Sequence, residues 1–170
     1  MKIGIDASRY THEQATGVEW YSWHIISSLL KIIPQDEKVA LYSRESVHID
    51  GGKNIVLPAR RFWTLRALSR EMKLRPPSVL FVPSHTLPLT LPKRSVITIH
   101  DVAFRHLKKS YSFFQYHYLN WSTKYACKHA TKIIVPSAAT AEDLVNFFNC
   151  PRDKINVIPH GFDEPKPVDE

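Results

Sequence analysis

Short apolar runs without polar alternation recur along this chain, and segments with helical periodicity separate them. The clearest runs are Val79 to Val82, Val96 to Ile99 and Lys132 to Val135. A strand with one face exposed to solvent alternates apolar and polar residues, whereas a parallel strand covered by helices on both faces is apolar throughout. The pattern therefore predicts an α/β fold, a doubly wound and mostly parallel sheet with helices on both faces.

The rest of the chain continues this alternation of strand and helix. Further strands are predicted at Lys2 to Asp6, Lys38 to Tyr42, Asn54 to Leu57 and Lys154 to Ile158, and helices at Gly17 to Ile33, Thr64 to Leu74, Phe113 to Lys128 and Ser137 to Phe148. Thr16 and Glu19 have the spacing of a capping box at the first helix. We expect one domain over residues 1–160 and a linker over residues 161–170, which contain two prolines and four acidic residues.

Composition narrows the class of protein. The 170 residues are 44% hydrophobic and 23% charged, and no apolar run reaches the about 20 residues that a membrane-spanning helix needs. The N-terminus lacks the apolar core and cleavage site of a signal peptide, so we expect a cytoplasmic protein. Cys127 and Cys150, the two cysteines, are expected to be buried thiols rather than a disulfide framework.

The formal net charge of +7 favours a polyanion, a phosphorylated ligand or an acidic lipid surface as partner. Residues 59–75 contain six Lys or Arg and one Glu. Three of these cations, Arg66, Arg70 and Lys73, share a helical face, which is either a solvated surface or, with Phe62 and Trp63 beside it, a contact for anionic lipid. No nucleic-acid reading motif is present, so a nucleic acid is not expected as partner.

Polar residues follow three of the predicted strands directly. His85 comes after the strand that ends at Val82, His100 and Asp101 come after Ile99, and Ser137 comes after Val135. Ligands of doubly wound folds bind beyond the carboxyl ends of the strands, so a shared cleft would explain all three placements. The alternative is structural: His100 ends its strand and Asp101 bonds backbone amides in a turn.

A threonine and a glycine, Thr16 and Gly17, lie between the first strand and the first helix. Free amides and the helix dipole attract anions there, and glycine allows a phosphate to approach closely, although an ordinary capping turn has the same sequence. The chain has no Gly-rich dinucleotide fingerprint, no Walker motif and no metal-ligand spacing of His or Cys. Neither a metal nor a cofactor is therefore expected.

Taken in order, five motifs resemble the amino-terminal half of retaining family 4 glycosyltransferases of the GT-B type, with features of a mannosyltransferase-like branch. The motifs cover nearly the whole chain: IGIDASRY with TGVEWYSWHIISSLL, VLFVPSHTLPLTLP, VITIHDVAF, ATKIIVPSAATAEDLVNFF and KINVIPHGFD. The resemblance implies an enzyme that transfers a sugar, with retention, from a nucleotide-sugar to a glycan or lipid-linked acceptor. It also implies a role in cell-envelope polysaccharide synthesis, with peripheral contact to the inner face of the plasma membrane.

Site residues follow from the same resemblance. His100 matches the family's histidine beside the reacting centre and is the catalytic candidate. Thr16, Gly17 and Ser137 are candidates for binding donor phosphate and sugar. The acceptor-side candidates are Arg9, Arg60, Arg61, His85 and Asp101.

Two departures from the family pattern stand out. His160 and Gly161 replace the Asn-Gly pair before the hinge, a change at a turn that we expect to be tolerated. The donor-binding domain, with its basic pair and its Glu-x7-Glu motif, is not in the sequence, and the match of Glu37 and Glu45 to that spacing is attributed to chance. We expect the chain to be nearly inactive without that domain, supplied in cis or in trans. The rival interpretation is a non-catalytic basic module for anionic lipid or polyanions.

Overall fold

A computed structural model describes residues 1–10, 15–47, 49–59 and 61–161. In these residues seven parallel strands form one sheet with the order β3-β2-β1-β4-β5-β6-β7. The strands are β1 (Lys2–Asp6), β2 (Lys38–Ser43), β3 (Lys53–Val56), β4 (Val79–Val82), β5 (Ser95–Thr98), β6 (Lys132–Val135) and β7 (Ile155–Val157). The predicted parallel sheet is confirmed, with strand bounds that shift by one residue at most.

The helices lie between the strands, as predicted. They are α1 (Gly17–Ile32), α2 (Ser69–Leu74), α3 (Ala103–His106), α4 (Phe113–His129) and α5 (Ala138–Phe148), with short 3₁₀ turns at Lys108–Ser110 and Arg152–Lys154. The sequence did not predict α3, a single turn that directly follows the carboxyl end of β5.

The helix predicted over Thr64 to Leu74 is only partly α-helical. Its first part, Thr64–Leu68, is a π-helix, so the predicted helix is present over its whole length but is not α-helical at its start. Ser69 accounts for the change, because its hydroxyl donates to the carbonyl of Thr64 (3.2 Å) and accepts from the amide of Leu89 (2.7 Å). A side chain that bonds a helix carbonyl in this way disturbs the regular ladder of backbone bonds.

Two apolar clusters cover the two faces of the sheet. Neighbouring residues of a strand point to opposite faces, and Leu80 and Ile97 accordingly pack with α2, α4 and α5, while Phe81 packs with Ile26 of α1. The predicted placement of helices on both faces is therefore confirmed. Cys127 and Cys150 are buried free thiols in the first cluster.

Three aromatic residues with helical spacing form a stripe along α4 that faces solvent rather than the core. Phe114, Tyr118 and Trp121 are exposed, whereas the buried residues of α4 are small: Ser122, Thr123, Ala126 and Cys127. Small side chains allow the helix to lie close to the sheet. Of the described helices, none has the length and hydropathy to cross a bilayer.

A glycine in β1 is required by its neighbours. A Cβ at Gly4 would lie 2.8 Å from Pro77 Cγ and 2.9 Å from Tyr42 Cε2, so we expect Gly4→Ala to lower the free energy of unfolding by about 1–3 kcal/mol through overpacking. Urea denaturation measures the change. The control is Gly161→Ala, because no atom lies within 4 Å of its added Cβ. Equal midpoints for the two variants would contradict the prediction.

Candidate active site at the carboxyl edge

The candidate site lies where the chain leaves β1, β4 and β5. These three strands are neighbours in the sheet and run in the same direction, so their following loops start at the same edge. The loops carry Arg9, His85 and His100, which are far apart in sequence. The edge predicted from the sequence is thus the edge at which these side chains meet.

His100 is surrounded by three aromatic rings. Its ring centroid lies 4.7 Å from that of Tyr21, nearly perpendicular to it, 5.2 Å from that of His85 and 5.3 Å from that of His160. The Nε2 atom lies 3.2 Å from the backbone carbonyl oxygen of Pro83. These contacts on all sides hold the imidazole in one orientation.

Burial sets the protonation state of this imidazole. Together with the nearby His85 and His160 it lowers the pKa of His100 to about 4, although the Pro83 carbonyl and Asp101 oppose the shift. The ring is therefore neutral near pH 7. A carbonyl oxygen only accepts, so the contact with Pro83 places the single ring proton on Nε2 and leaves Nδ1 as an acceptor.

His85 is a second neutral imidazole in the site. Burial lowers its pKa, and its buried Nδ1 atom has no hydrogen-bond partner among the described residues. A buried polar atom without a partner is costly. His85 therefore places a second neutral ring beside His100.

Polar side chains form a hydrogen-bonded network at the start of α1. The amide of Thr16 donates to Glu19 Oε2 (3.1 Å), the Thr16 hydroxyl also donates to this carboxylate, and Arg9 Nη1 donates to Glu19 Oε1 (2.8 Å). Burial raises the pKa of Glu19, but these hydrogen bonds outweigh it and lower the pKa overall. The predicted link between Thr16 and Glu19 is present, and it engages the Thr16 hydroxyl within the protein.

Two cavities flank this first turn of α1. The first, here called the Arg9 cavity, has a volume of about 530 Å³ and is lined by Ser8, Arg9, Thr16, Val18, Glu19, Arg44, Phe62, Trp63, Thr64, Leu65, Ser84, His85, Thr86, Tyr118 and Leu119. The second, the Gly17 cavity, has a volume of about 520 Å³ and is lined by Gly17, Trp20, Tyr21, His24, Ile25, Ser28, His160 and Gly161. His100 lies between them, because its ring contacts His85 of the first and Tyr21 and His160 of the second.

Gly17 leaves the second cavity open at the helix start. No atom lies within 4 Å of where its Cβ would be, so a ligand can reach the backbone there. Gly17 lines this cavity together with Tyr21 and His160, and the rings of those two residues contact His100. Gly17 and His100 are thus on the same edge of the fold.

The other candidates are placed differently. Ser137 is the N-cap of α5, where its hydroxyl accepts from the amide of Thr140 (3.1 Å), and the Thr140 hydroxyl donates to the carbonyl of His100 (3.4 Å). Asp101 is exposed and accepts a hydrogen bond from the amide of Ala103 (2.9 Å). This is the bond to a backbone amide that we expected if Asp101 has only a structural role in the turn. Ser137 therefore reaches His100 only through Thr140.

The cations of residues 59–75, here called the basic segment, contribute little to the cavities, although Phe62, Trp63, Thr64 and Leu65 of this segment line the Arg9 cavity. Arg61 is exposed and is not among the described residues that line either cavity, and Arg60 lies outside the described residues. The face of Arg66, Arg70 and Lys73 is exposed to solvent. The described residues include no cluster of three or more His, Cys, Asp or Glu that could hold a metal ion.

Comparison with known proteins gives the family. The family model described as Glycosyltransferase Family 4 matches residues 30–165. The chain belongs to this family. The matched residues of this glycosyltransferase domain include His85, His100 and Ser137, whereas Arg9, Thr16 and Gly17 precede them.

A solved structure shows the same fold for this glycosyltransferase domain. A variant of the wall teichoic acid polymerase TagF aligns with a TM-score of 0.55 and 12% sequence identity, over 93% of this chain and 38% of the TagF chain. The chain thus spans well under half the length of that structure. A search of curated proteins gave no match.

Sequence reasoning missed two residues of the candidate site, Tyr21 and His160. The Tyr21 hydroxyl lies 3.1 Å from Thr98 Oγ1, and its ring centroid lies 4.8 Å from that of His160. Tyr21 lies within the predicted first helix and was not assigned a role, and His160 was expected only as a turn residue. A signal was present for Tyr21, which follows Gly17 by about one helical turn and must therefore lie near the same edge.

The low pKa of His100 predicts how stability depends on pH. The unfolded chain titrates this group near its ordinary value of 6.5, above the folded value of about 4, so the unfolded state binds more protons between these values. We expect the free energy of unfolding to fall as pH decreases from about 6.5 to about 4 and this contribution to level off below. His100→Gln should remove that part of the pH dependence, measured by urea denaturation.

A matched control is the exposed His129→Gln, which should keep the pH dependence of the unchanged chain. Nearly parallel curves for the unchanged chain and His100→Gln would contradict the assignment of a neutral, buried His100.

Proposed function

We propose that this chain is the acceptor-binding half, residues 1–160, of a retaining glycosyltransferase that moves a sugar from a nucleotide-sugar to a glycan or lipid-linked acceptor. Family membership and the GT-B-like fold support the reaction class. The single observation that carries the assignment is the position of the neutral His100 ring between the two cavities. A side chain whose ring contacts lining residues of both cavities can help to position both substrates of a transfer.

The Arg9 cavity suits the acceptor. Arg9 and Arg44 provide positive charge for a phosphate of a lipid-linked or glycan acceptor, while Trp63 and Phe62 line the cavity with aromatic surface. The neutral His85 ring forms part of the wall of this cavity beside His100. In this arrangement the attacking hydroxyl is directed towards His100.

The Gly17 cavity suits the donor. The open backbone at Gly17 receives the diphosphate at the start of α1, where amides and the helix dipole favour negative charge. Nδ1 of His100 accepts a hydrogen bond from a hydroxyl of the donor sugar and orients the anomeric carbon. The neutral ring adds no positive charge beside the oxocarbenium-like sugar of the transition state.

A second domain completes the enzyme in this proposal, joined beyond Gly161 or supplied by another chain. The leaving diphosphate needs cationic groups, and the described lining of the Gly17 cavity contains neither Lys nor Arg. The chain is therefore nearly inactive by itself. The donor sugar, a hexose in the mannosyltransferase-like interpretation, is selected mainly by that second domain.

Joining a donor domain tests the proposal directly. The chain fused after Gly161 to a family 4 donor-binding domain should release nucleoside diphosphate from a panel of nucleotide-sugars at least about tenfold faster than either half alone, because both substrates are then held together. A coupled assay for the released diphosphate measures the rate. A fusion that folds and binds the nucleotide-sugar by calorimetry, yet turns over no faster than its donor half, would overturn the proposal.

The role of His100 makes a separate prediction in the same fusion. His100→Ala should lower kcat/KM by about tenfold or more, because it removes the hydrogen bond that orients the donor sugar. The control is His129→Ala, an exposed histidine on α4, which should leave kcat/KM unchanged. An unchanged kcat/KM for the His100 variant would refute the role assigned to His100 but would leave the proposed reaction class unaffected.

A further inference from the structure

An apolar and basic surface lies outside the site described above. Leu107, Phe113 and Phe114 are 58%, 72% and 83% exposed, and the exposed Lys108 and Lys109 lie between them in sequence. We call these five residues the Phe113 patch. Two adjacent phenylalanines left this exposed are unusual for a surface that contacts only water.

The charge around this patch has one sign. Between Asp101 and Glu142 the sequence has six Lys or Arg and no Asp or Glu. Lys108 Nζ lies 4.9 Å from the centre of the Tyr116 ring and makes no ion pair among the described contacts. The nearby Asp143 is already bonded to His106 (2.7 Å). The patch thus combines exposed aromatic rings with lysines that form no ion pair among the described residues.

The fold holds the patch firmly in place. Phe104 of α3 is buried and packs against Tyr111, which lies between Lys109 and Phe113 in sequence, and against Tyr116, which follows the patch. Ser112 and Gln115 form a capping box that fixes the first turn of α4. The exposure of Phe113 and Phe114 is therefore built into an ordered helix start.

The patch also lies beside the candidate site. Because α3 follows β5, the segment from α3 to the start of α4 begins at the carboxyl edge of the sheet. Phe114 and Tyr118 are one helical turn apart, and Tyr118 lines the Arg9 cavity, with its hydroxyl 3.2 Å from Thr86 Oγ1. An aromatic surface thus runs from the patch to the cavity mouth.

We propose that the Phe113 patch docks on a bilayer rich in anionic phospholipid. Phe113, Phe114 and Leu107 enter the boundary between headgroups and acyl chains, and Lys108 and Lys109 bind headgroup phosphates. Apolar insertion together with basic attraction is the combination that holds a protein in the membrane interface. This inference does not depend on the proposed function, since it concerns binding and not transfer.

Sedimentation with vesicles tests the docking. The 170-residue chain should pellet with vesicles of equal parts phosphatidylglycerol and phosphatidylcholine and remain in solution with phosphatidylcholine alone. The double variant Phe113→Ser/Phe114→Ser and the double variant Lys108→Glu/Lys109→Glu should each lower the partition coefficient roughly tenfold or more. All four side chains are exposed, so the fold should survive, which circular dichroism checks.

Two control variants compare the Phe113 patch with the rest of the protein surface. Ile32→Ser removes an exposed apolar residue at the far end of α1, on the opposite edge of the sheet, and should leave the partition coefficient unchanged. Arg66→Glu/Arg70→Glu changes the basic segment. Loss of binding in that variant alone, with the Phe113 patch variants still bound, would overturn the proposal in favour of the basic segment.

A second copy of the chain is the other partner that could cover the Phe113 patch. If the chain dimerises in sedimentation velocity, and Phe113→Ser/Phe114→Ser abolishes the dimer without changing vesicle binding, the patch is an interface between two copies and the membrane proposal fails. A monomer whose vesicle binding depends on both pairs of residues supports it.

Discussion

Parallel pairing of β1, β4 and β5 is the constraint on which the site depends. Each crossover returns the chain to the opposite edge, so the residues that follow each strand collect at the same edge although they are far apart in sequence. Arg9, His85 and His100 come together for this reason alone. Antiparallel pairing of β4 with its neighbours would move His85 to the opposite edge and separate it from His100.

Burial then decides what chemistry these side chains can offer. Desolvation lowers the pKa values of both His85 and His100, so the two imidazoles are neutral and act through directed hydrogen bonds. Positive charge at the site comes from Arg9 and Arg44 instead, on the side of the Arg9 cavity. The site thus separates charge recognition from the orientation of hydroxyl groups, which suits a reaction that passes through a positively charged sugar.

The sequence predicted the strands well because continuous apolar runs have few other uses in a domain of this size. The same rule located the edge with His85 and His100. For Tyr21 the sequence indicates only the edge, because its contact with His100 depends on how α1 rotates over the sheet. His160 could not be predicted, because its position depends on where the chain runs after β7. Nor could periodicity tell which face of α4 is buried, since small residues and not the aromatic stripe pack against the sheet. Contacts between residues that are distant in sequence, unlike secondary structure, leave no local pattern in the sequence.

The first turn of α1 shows how the fold divides the two proposed substrates. Glu19 already receives the amide and hydroxyl of Thr16, and Arg9 compensates its charge. In the Arg9 cavity the guanidinium groups of Arg9 and Arg44 outnumber this carboxylate, whereas an anion that approaches from the Gly17 cavity meets open backbone. Amides and a helix dipole stabilise an anion by roughly 1 kcal/mol at an exposed site, far less than a leaving diphosphate requires. The proposed function thus needs cations beyond the described residues, and the Gly17 side is where they must approach.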